Sequence, residues 1–241
     1  MKGVGLDAGP VISLSINNML WIFEELKKRT RTSFYITEAV KREIFDRPIS
    51  IKRFEIKAVQ ALDLISEDIL KIINVDEEFV DETLKLANEC FYANGKQIQI
   101  AHRGEIECLC GVIQHDLQAF VIDETNMRLM IEAPEQLKHK LSSRLHTNIR
   151  EDAEKIKKFR NITKSIKVLR STELLAIAYE KGVMKRYNDK NQRKYMPDIE
   201  EKIIDGMLWG AKLAGCSINH QEIQDLKEYL MKKHIREKEN L

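Results

Sequence analysis

The sequence predicts an α/β fold with a parallel sheet covered by helices on both faces. Short apolar segments alternate with helical patterns, and this repeat is typical of parallel sheets. Two of these segments, 4–6 and 119–122, are each followed directly by an aspartate, Asp7 and Asp123. The chain has 241 residues, of which 43% are apolar, so it can bury a sizeable core in one domain. We therefore expect a single α/β domain over 1–241.

The expected elements follow one another without a low-complexity linker. Strands are predicted at 4–6, 34–36, 70–75, 119–123 and 166–169 from their apolar and β-branched residues. Helices are predicted at 18–28, 38–45, 54–65, 76–94, 104–114, 172–181, 199–213 and 220–234. Thr37, Ser171 and Asn219 are expected to cap the helices that follow them, and Pro48, Gly182 and Gly215 to end others.

The stretch 132–164 differs from the rest because it is strongly charged and carries only a thin apolar stripe. A strand returns after it, so we interpret it as a charged helical insertion into one domain. The segment 185–194 is expected to be a basic, polar loop, and 196–236 to form the C-terminal helices. The insertion could bind RNA, mediate dimerisation or cover a sheet edge.

Composition excludes several classes of protein. Forty basic and 38 acidic residues give a net charge of +2, so a nucleic-acid partner has to be bound by local basic patches. Four cysteines are too few for a disulfide framework, and we expect reduced thiols in a cytoplasmic protein. The N-terminus does not resemble a signal peptide, and no segment has the length of a membrane span.

Four acids lie where a metal site in such a sheet would draw its ligands. Asp7 ends the first strand, Glu43 lies in the helix after the second, Glu105 opens the helix before the fourth, and Asp123 ends the fourth. Magnesium prefers carboxylate oxygens, and acids that converge repel one another unless a cation neutralises them. The joint placement therefore predicts a divalent-metal site.

Each acid taken alone has an ordinary structural interpretation. Asp7 and Asp123 could cap the helices that follow them, and Glu43 could be a solvated helix residue. Glu105 could complement a helix N-terminus, and Glu107 could be the important acid in its place. The prediction therefore depends on the four positions together.

The segments that carry these acids resemble the successive motifs of PIN domains, in particular the larger prokaryotic, archaeal-looking members. The matching segments, which span 2–128 in order and spacing, are Asp7-Ala8-Gly9-Pro10, Ile36-Thr37-Glu38-Ala39-Val40 with Glu43, Arg103-Gly104-Glu105-Ile106-Glu107, and Val121-Ile122-Asp123-Glu124 with Arg128. The stretch 171–182 and the helix with Trp209 resemble the C-terminal part of the family. Glu124 stands where a second aspartate is often found, and the insertion is an addition to the compact members.

The resemblance implies a three-layer α/β/α fold with strand order 3-2-1-4-5, which places Asp7 and Asp123 side by side at a switch point. It implies a ribonuclease that uses Mg²⁺ or Mn²⁺, one ion or two, held by Asp7, Glu105, Asp123 and Glu43. The implied partner is RNA, with another nucleic acid, a homodimer and an inhibitor or complex partner left open. The alternative is a catalytically silent PIN scaffold in an RNA-processing or toxin–antitoxin complex.

Substrate contacts would come from cations and polar groups near the acids. Arg103 and Arg128 are the predicted phosphate contacts, and Thr125 and Asn126 are further candidates that also suit a helix start. Other cations are Lys41, Arg42 and the basic run at 185–194, whose flanking Tyr187 and Tyr195 could stack on bases or simply lie on a solvated loop. A haloacid dehalogenase would need an acid where Gly9 stands, and a response-regulator receiver matches poorly.

Overall fold

The computed structural model describes residues 3–239, and for 234–239 only the helical backbone. The two ends of the domain expected over 1–241 therefore lie outside the described residues. Eight strands are defined: β1 Gly3–Leu6, β2 Ser33–Thr37, β3 Leu70–Ile73, β4 Phe91–Ala93, β5 Lys96–Gln97, β6 Ala119–Val121, β7 Ile149–Glu151 and β8 Lys167–Leu169.

Thirteen α-helices occur in residues 3–239: α1 Ala8–Ile16, α2 Trp21–Thr30, α3 Glu38–Lys41, α4 Glu55–Ser66, α5 Glu77–Asn88, α6 Arg103–Gln114, α7 Thr125–Glu132, α8 Pro134–Leu145, α9 Ala153–Thr163, α10 Ser171–Glu180, α11 Lys190–Tyr195, α12 Ile199–Leu213 and α13 His220–Glu239. A π-helical turn, Arg42–Asp46, continues α3 and precedes a 3₁₀ turn, Pro48–Ser50. A further 3₁₀ segment covers Val183–Tyr187. No helix among the residues described is long and apolar enough to cross a membrane.

Five of the strands form a parallel sheet in the order β3-β2-β1-β6-β8. The α/β class with a five-stranded parallel sheet is therefore confirmed. Strands β1 and β6 are directly paired, with Gly5 opposite Phe120 and Leu6 opposite Val121. Parallel strands end at the same edge of a sheet, so the residues that follow β1 and β6 begin as neighbours. This pairing positions the candidate site.

Helix α6 packs very closely on β1, because Gly5 has no side chain. A Cβ atom on Gly5 would lie 2.3 Å from a methyl carbon of Val112 in α6. The Cys108 thiol of the same helix donates to the Leu6 carbonyl oxygen at 3.0 Å. All four cysteines are free and buried, as the composition predicts. The close contact fixes the position of α6, and therefore of Glu105, relative to the end of β1.

Three predicted elements need correction. The helix predicted over 76–94 ends at Asn88, and Asn94-Gly95 instead forms the two-residue turn of the β4–β5 hairpin, with φ values of 49° and 77°. The turn sequence Asn-Gly is a known hairpin signal that the apolar periodicity obscured. The insertion 132–164 is not purely helical, because it contains β7, which pairs antiparallel with β4. The expected loop at 185–194 contains the short helix α11.

The expected caps are mostly found. Thr37 accepts a hydrogen bond from the Val40 N–H at 3.5 Å, and Asn219 accepts one from the Glu222 N–H at 2.9 Å. Ser171, by contrast, is the first residue of α10, and the cap position belongs to Arg170. This one-residue shift matters for the candidate site, because it frees the Ser171 N–H to bind a side chain.

Candidate metal centre

Asp7 lies directly after β1 and is the N-cap of α1, so both elements fix its position. Its Oδ2 atom accepts a hydrogen bond from the backbone N–H of Gly9 at 3.4 Å. Its own N–H donates to the Val121 carbonyl oxygen at 2.9 Å, which ties Asp7 to the end of β6. The capping role left open by the sequence is therefore present. A single weak bond to one oxygen does not prevent the carboxylate from binding a cation as well.

Asp123 follows β6 after Ile122 and is only 5% exposed. Its Oδ1 atom accepts a 2.7 Å hydrogen bond from the Ser171 N–H at the start of α10. Its Oδ2 atom is buried and has no hydrogen bond of acceptable geometry with the side chains and backbone of residues 3–233, although the Cys216 thiol is near enough to influence Asp123. A buried acceptor without a well-formed hydrogen bond is rare in folded proteins and requires an explanation. A carboxylate oxygen of this kind is a suitable ligand for a hard cation.

Gly9 lies close to both aspartates. A Cβ atom built on Gly9 would lie 3.5 Å from Asp7 Oδ2 and 3.6 Å from the Cβ atom of Asp123. A side chain at position 9 would therefore contact both acids. Asp7 and Asp123 are the first and the last of the four predicted ligands in the sequence. The pairing of β1 with β6 brings them near each other.

Glu105 and Glu43 come from two other elements. Glu105 is in the first turn of α6, where its Oε2 atom accepts a 2.9 Å hydrogen bond from the His102 N–H. Glu43 is exposed and belongs to the π-helical turn, a feature that is frequent at functional sites. A Cβ atom on Gly104 would lie 3.3 Å from Glu43 Oε1, so Glu43 reaches the N-terminal turn of α6.

Burial, and to a lesser extent neighbouring negative charges, raise the pKa values of three of the carboxylates. Burial, with the nearby charges of Glu105 and Glu43, raises the pKa of Asp7 from 3.8 to about 7. Burial and the charges of Glu124 and Glu43 raise the pKa of Glu105 to about 7. Burial also raises the pKa of Asp123, an effect that the Ser171 N–H and the Cys216 thiol partly offset.

The four predicted ligands, Asp7, Glu43, Glu105 and Asp123, have no basic partner within salt-bridge distance among the described side chains, those of residues 3–233. Many other carboxylates in the molecule do form salt bridges. The site is therefore an acidic region without an internal counter-charge. A divalent cation would both neutralise it and favour the ionised carboxylates.

Glu107 has a different role from Glu105. Its side chain is buried, its Oε1 atom accepts a 2.9 Å hydrogen bond from the Ala39 N–H, and its Oε2 atom lies 3.6 Å from an Arg42 nitrogen. These contacts join α6 to α3 and to the π-helical turn. Of the two acids that the sequence left open, Glu107 is held by structural contacts, and Glu105 is the one that interacts with Asp7.

The predicted substrate-binding residues are engaged within the protein. Arg103 pairs with Glu77 and Asp81, and Arg128 pairs with Glu132 at 3.1 Å. The Thr125 hydroxyl hydrogen-bonds the Ser217 hydroxyl. Asn126 Oδ1 accepts a hydrogen bond from Lys140 at 3.2 Å. Each of these residues would therefore have to exchange a protein contact for a substrate contact.

The structure adds residues to the site that the sequence did not select. Glu124, the N-cap of α7, contributes to the raised pKa of Glu105. Arg170 holds the start of α10, because its guanidinium binds Glu173, Glu222 at 2.9 Å and the Ser217 carbonyl at 3.2 Å. The glutamate three residues after Arg170 is a capping-box signal that could have located this junction.

The residues present fit a hard divalent cation in their chemistry, with oxygen donors, a buried Asp123 oxygen that has no well-formed hydrogen bond, and no salt-bridged basic partner. They do not form a closed ligand set. Among the side chains described, those of residues 3–233, no three Asp, Glu, His or Cys residues converge into a group that could hold a metal ion as they stand. Binding a cation would therefore require side-chain movement, most of all by the exposed Glu43.

Comparison with known proteins gives no further guidance. No family model, no curated protein and no solved structure matches this chain. The functional argument therefore rests on the residues and their geometry.

Proposed function

We propose that this protein is a divalent-metal-dependent nuclease of the PIN type that hydrolyses RNA phosphodiester bonds, with Mg²⁺ or Mn²⁺ as its cofactor. One observation carries the proposal. Asp7 and Asp123 both lie close to Gly9 after two paired parallel strands, and the buried Oδ2 atom of Asp123 has no hydrogen bond of acceptable geometry in the described residues. Ligands in open parallel sheets bind at such strand ends.

The sheet also supports this proposal. Counted over the five parallel strands alone, the order β3-β2-β1-β6-β8 reads 3-2-1-4-5, the order that the resemblance to PIN domains implies. A helix lies between each pair of consecutive parallel strands, as a three-layer α/β/α arrangement requires. The order reverses between β1 and β6, where the aspartates lie.

The proposed roles follow from the contacts of each acid. When bound, Mg²⁺ or Mn²⁺ would lower the pKa of an attacking water and stabilise negative charge on the phosphate. Asp7, Asp123 and Glu105 would hold the cation, and Glu43 would be a fourth ligand or act through a water. The Ser171 N–H holds one oxygen of Asp123 and leaves the other available, while Gly9 has no side chain that would contact the aspartates.

The test is cleavage of structured and single-stranded RNA in Mg²⁺ or Mn²⁺ by the wild type and by the variants Asp7→Asn and Asp123→Asn. We expect metal-dependent cleavage that each substitution lowers by at least about 100-fold, because each removes a charged ligand. Asp63→Asn is the matched control, since Asp63 is exposed in α4 and its carboxylate has no contact in the described residues. A wild type that cuts nothing, or variants that cut equally well, would contradict the proposal.

A catalytically silent scaffold is the second candidate, and two observations favour it. The acids are not gathered into a ready metal-binding group in the described part of the chain. An apolar cleft of about 240 Å³, lined by Val11, Ile12 and Phe54 among others, lies beside Glu43 and suits contact with another protein. A protein that neither cleaves RNA nor gains thermal stability in Mn²⁺ would be assigned this role.

A further inference from the structure

A surface rich in cations follows α10, and we call residues 181–196 the basic surface. Its six cations are Lys181, Lys185, Arg186, Lys190, Arg193 and Lys194, against a single acid, Asp189. The six are exposed, and none of them forms a salt bridge with another residue of the described chain. This segment alone carries a larger excess of positive charge than the whole chain, whose net charge is +2.

The basic surface is held in a defined shape and does not behave as a solvated loop. Val183 and Met184 are buried and anchor it to the core. Asp189 uses its carboxylate to cap α11, where it accepts the N–H groups of Asn191 and Gln192 at 2.8 Å. The single acid therefore neutralises none of the cations. Arg193 donates to Asn188 at 2.6 Å, which orients its guanidinium across the turn before α11.

Aromatic rings accompany the cations. Tyr195 is 91% exposed, and Tyr187 is 41% exposed. The Arg186 guanidinium lies over the Trp21 ring at 4.4 Å and 5.3 Å from the centre of the Tyr187 ring. An aromatic ring left in water beside unpaired cations is the combination that single-stranded nucleic acids bind, since phosphates contact the cations and bases stack on the rings.

We infer that the basic surface binds single-stranded nucleic acid, with Lys190 and Lys194 contacting phosphates and Tyr195 stacking on a base. The inference rests on the proposed function and extends it. It specifies a single-stranded substrate and adds a binding surface outside the acidic site. Helix α10 begins at Ser171, which binds Asp123, and ends at Glu180, directly before the basic surface, so the acidic site and the start of this surface lie at opposite ends of a helix about 15 Å long. Double-stranded RNA would present no exposed base to Tyr195.

The test measures binding separately from cleavage. Fluorescence anisotropy of a labelled single-stranded oligouridylate, with EDTA present, gives the affinity of the intact protein at several salt concentrations. We expect the double variant Lys190→Gln/Lys194→Gln to bind roughly tenfold more weakly. We expect its log–log salt slope to be smaller by about 0.7 for each phosphate contact removed. Tyr195→Ala should weaken binding by at least about fivefold while leaving the salt slope unchanged.

The matched control is Lys96→Gln/Lys167→Gln, which removes the same charge from exposed positions on β5 and β8 that form no salt bridge in the described residues. We expect it to bind like the wild type. An equal loss of affinity in both double variants would mean that binding follows net charge, and it would overturn the inference. If the Lys190/Lys194 substitutions leave the affinity for the oligonucleotide unchanged, the inference is wrong. It is also wrong if these substitutions weaken binding to phosphatidylserine vesicles but not binding to the oligonucleotide.

The outcomes separate this inference from the proposed function. If the wild type cleaves RNA and the Lys190/Lys194 variant binds normally, the nuclease proposal stands and the binding surface is wrong. If the variant loses affinity but the wild type never cleaves, the surface stands and the nuclease proposal is wrong. Thermal unfolding of each variant by circular dichroism excludes loss of the fold as the cause.

Discussion

The carboxylate of Asp7 accepts the first hydrogen bond of α1 and lies close to two other acids. Its function as a cap and its proposed function as a ligand do not compete, because the cap uses one oxygen at a long distance. In α6, by contrast, a structural role and a proposed ligand role belong to two different acids. Glu107 binds Ala39 and Arg42, whereas Glu105 remains near Asp7.

The raised pKa of Asp7 predicts a pH dependence of stability. The folded state holds this proton more tightly than the unfolded state does, because the folded pKa is about 7 and the ordinary value is 3.8. The contribution of Asp7 to the stability of the metal-free protein should therefore be greatest below about pH 4 and be lost as the pH rises to about 7. In EDTA at about pH 8, Asp7→Asn should melt about 2–6 °C higher than the wild type.

Thermal unfolding followed by circular dichroism across this pH range checks the prediction. The difference between Asp7→Asn and the wild type should disappear at about pH 3, where the wild-type carboxyl is protonated in the folded state and largely protonated in the unfolded state. Asp63→Asn should follow the wild type throughout. Parallel curves for Asp7→Asn and the wild type would show that folding does not raise the pKa of Asp7.

The two glutamates of α6 should respond differently to substitution. Glu107→Ala leaves the Ala39 N–H without its partner, so the free energy of unfolding should fall by about 1–3 kcal/mol. Glu105→Gln keeps an acceptor for the His102 N–H but removes a charge. It should therefore leave metal-free stability unchanged or higher and weaken Mn²⁺ binding by at least about tenfold. Urea unfolding and calorimetric titration measure the two effects, and a reversed pattern would exchange the roles of the two residues.

At the scale of elements, the site depends on how closely α6 approaches β1. Residue type alone does not reveal this approach. In the sequence, Gly5 is simply a residue that disfavours a strand. The structure shows why it is glycine: a Cβ atom on residue 5 would lie 2.3 Å from Val112 in α6. The same close packing fixes the distance between Asp7 at the end of β1 and Glu105 at the start of α6.

Gly5→Ala should therefore displace α6 and lower the free energy of unfolding by about 1–3 kcal/mol. Val112→Ala removes the methyl group that meets the new Cβ atom. The double variant should be more stable than the sum of the two single effects predicts, by at least about 0.5 kcal/mol. Urea unfolding of the wild type, the two single variants and the double variant gives the double-mutant cycle. Strictly additive effects would mean that residues 5 and 112 are not in contact.

The junction of β8 with α10 depends on Arg170, whose side chain is 10% exposed and pairs with Glu173 and Glu222. Arg170→Met leaves two partly exposed acids without their partner, so we expect a loss of about 1–3 kcal/mol in unfolding free energy. Arg160→Met is the control, because the exposed Arg160 lies 3.9 Å from Glu135 and should contribute less than about 1 kcal/mol. Similar losses in both variants would refute the anchoring role of Arg170.

At the scale of the whole molecule, the sequence was sufficient for the parallel sheet because its strands are short, apolar and separated by helical periods. The hairpin β4–β5 and strand β7 were missed, because two or three residues per strand are too few to show a period. The sequence also indicated four acids as ligands, two that end strands and two in helices. It could not choose between Glu105 and Glu107, which lie two residues apart on a helix, because that choice depends on which neighbouring element each one contacts.

The metal site is the central claim, and the location of a bound Mn²⁺ ion tests it most directly. Crystals soaked in MnCl₂ would be examined by anomalous diffraction. We predict a peak between Asp7 and Asp123, with the Oδ2 atom of Asp123 about 2.1 Å from the ion and Glu105 or Glu43 turned towards it. The peak should be absent from Asp123→Asn crystals. A wild-type map with no peak at this position, or with peaks only at other acids, would contradict the account.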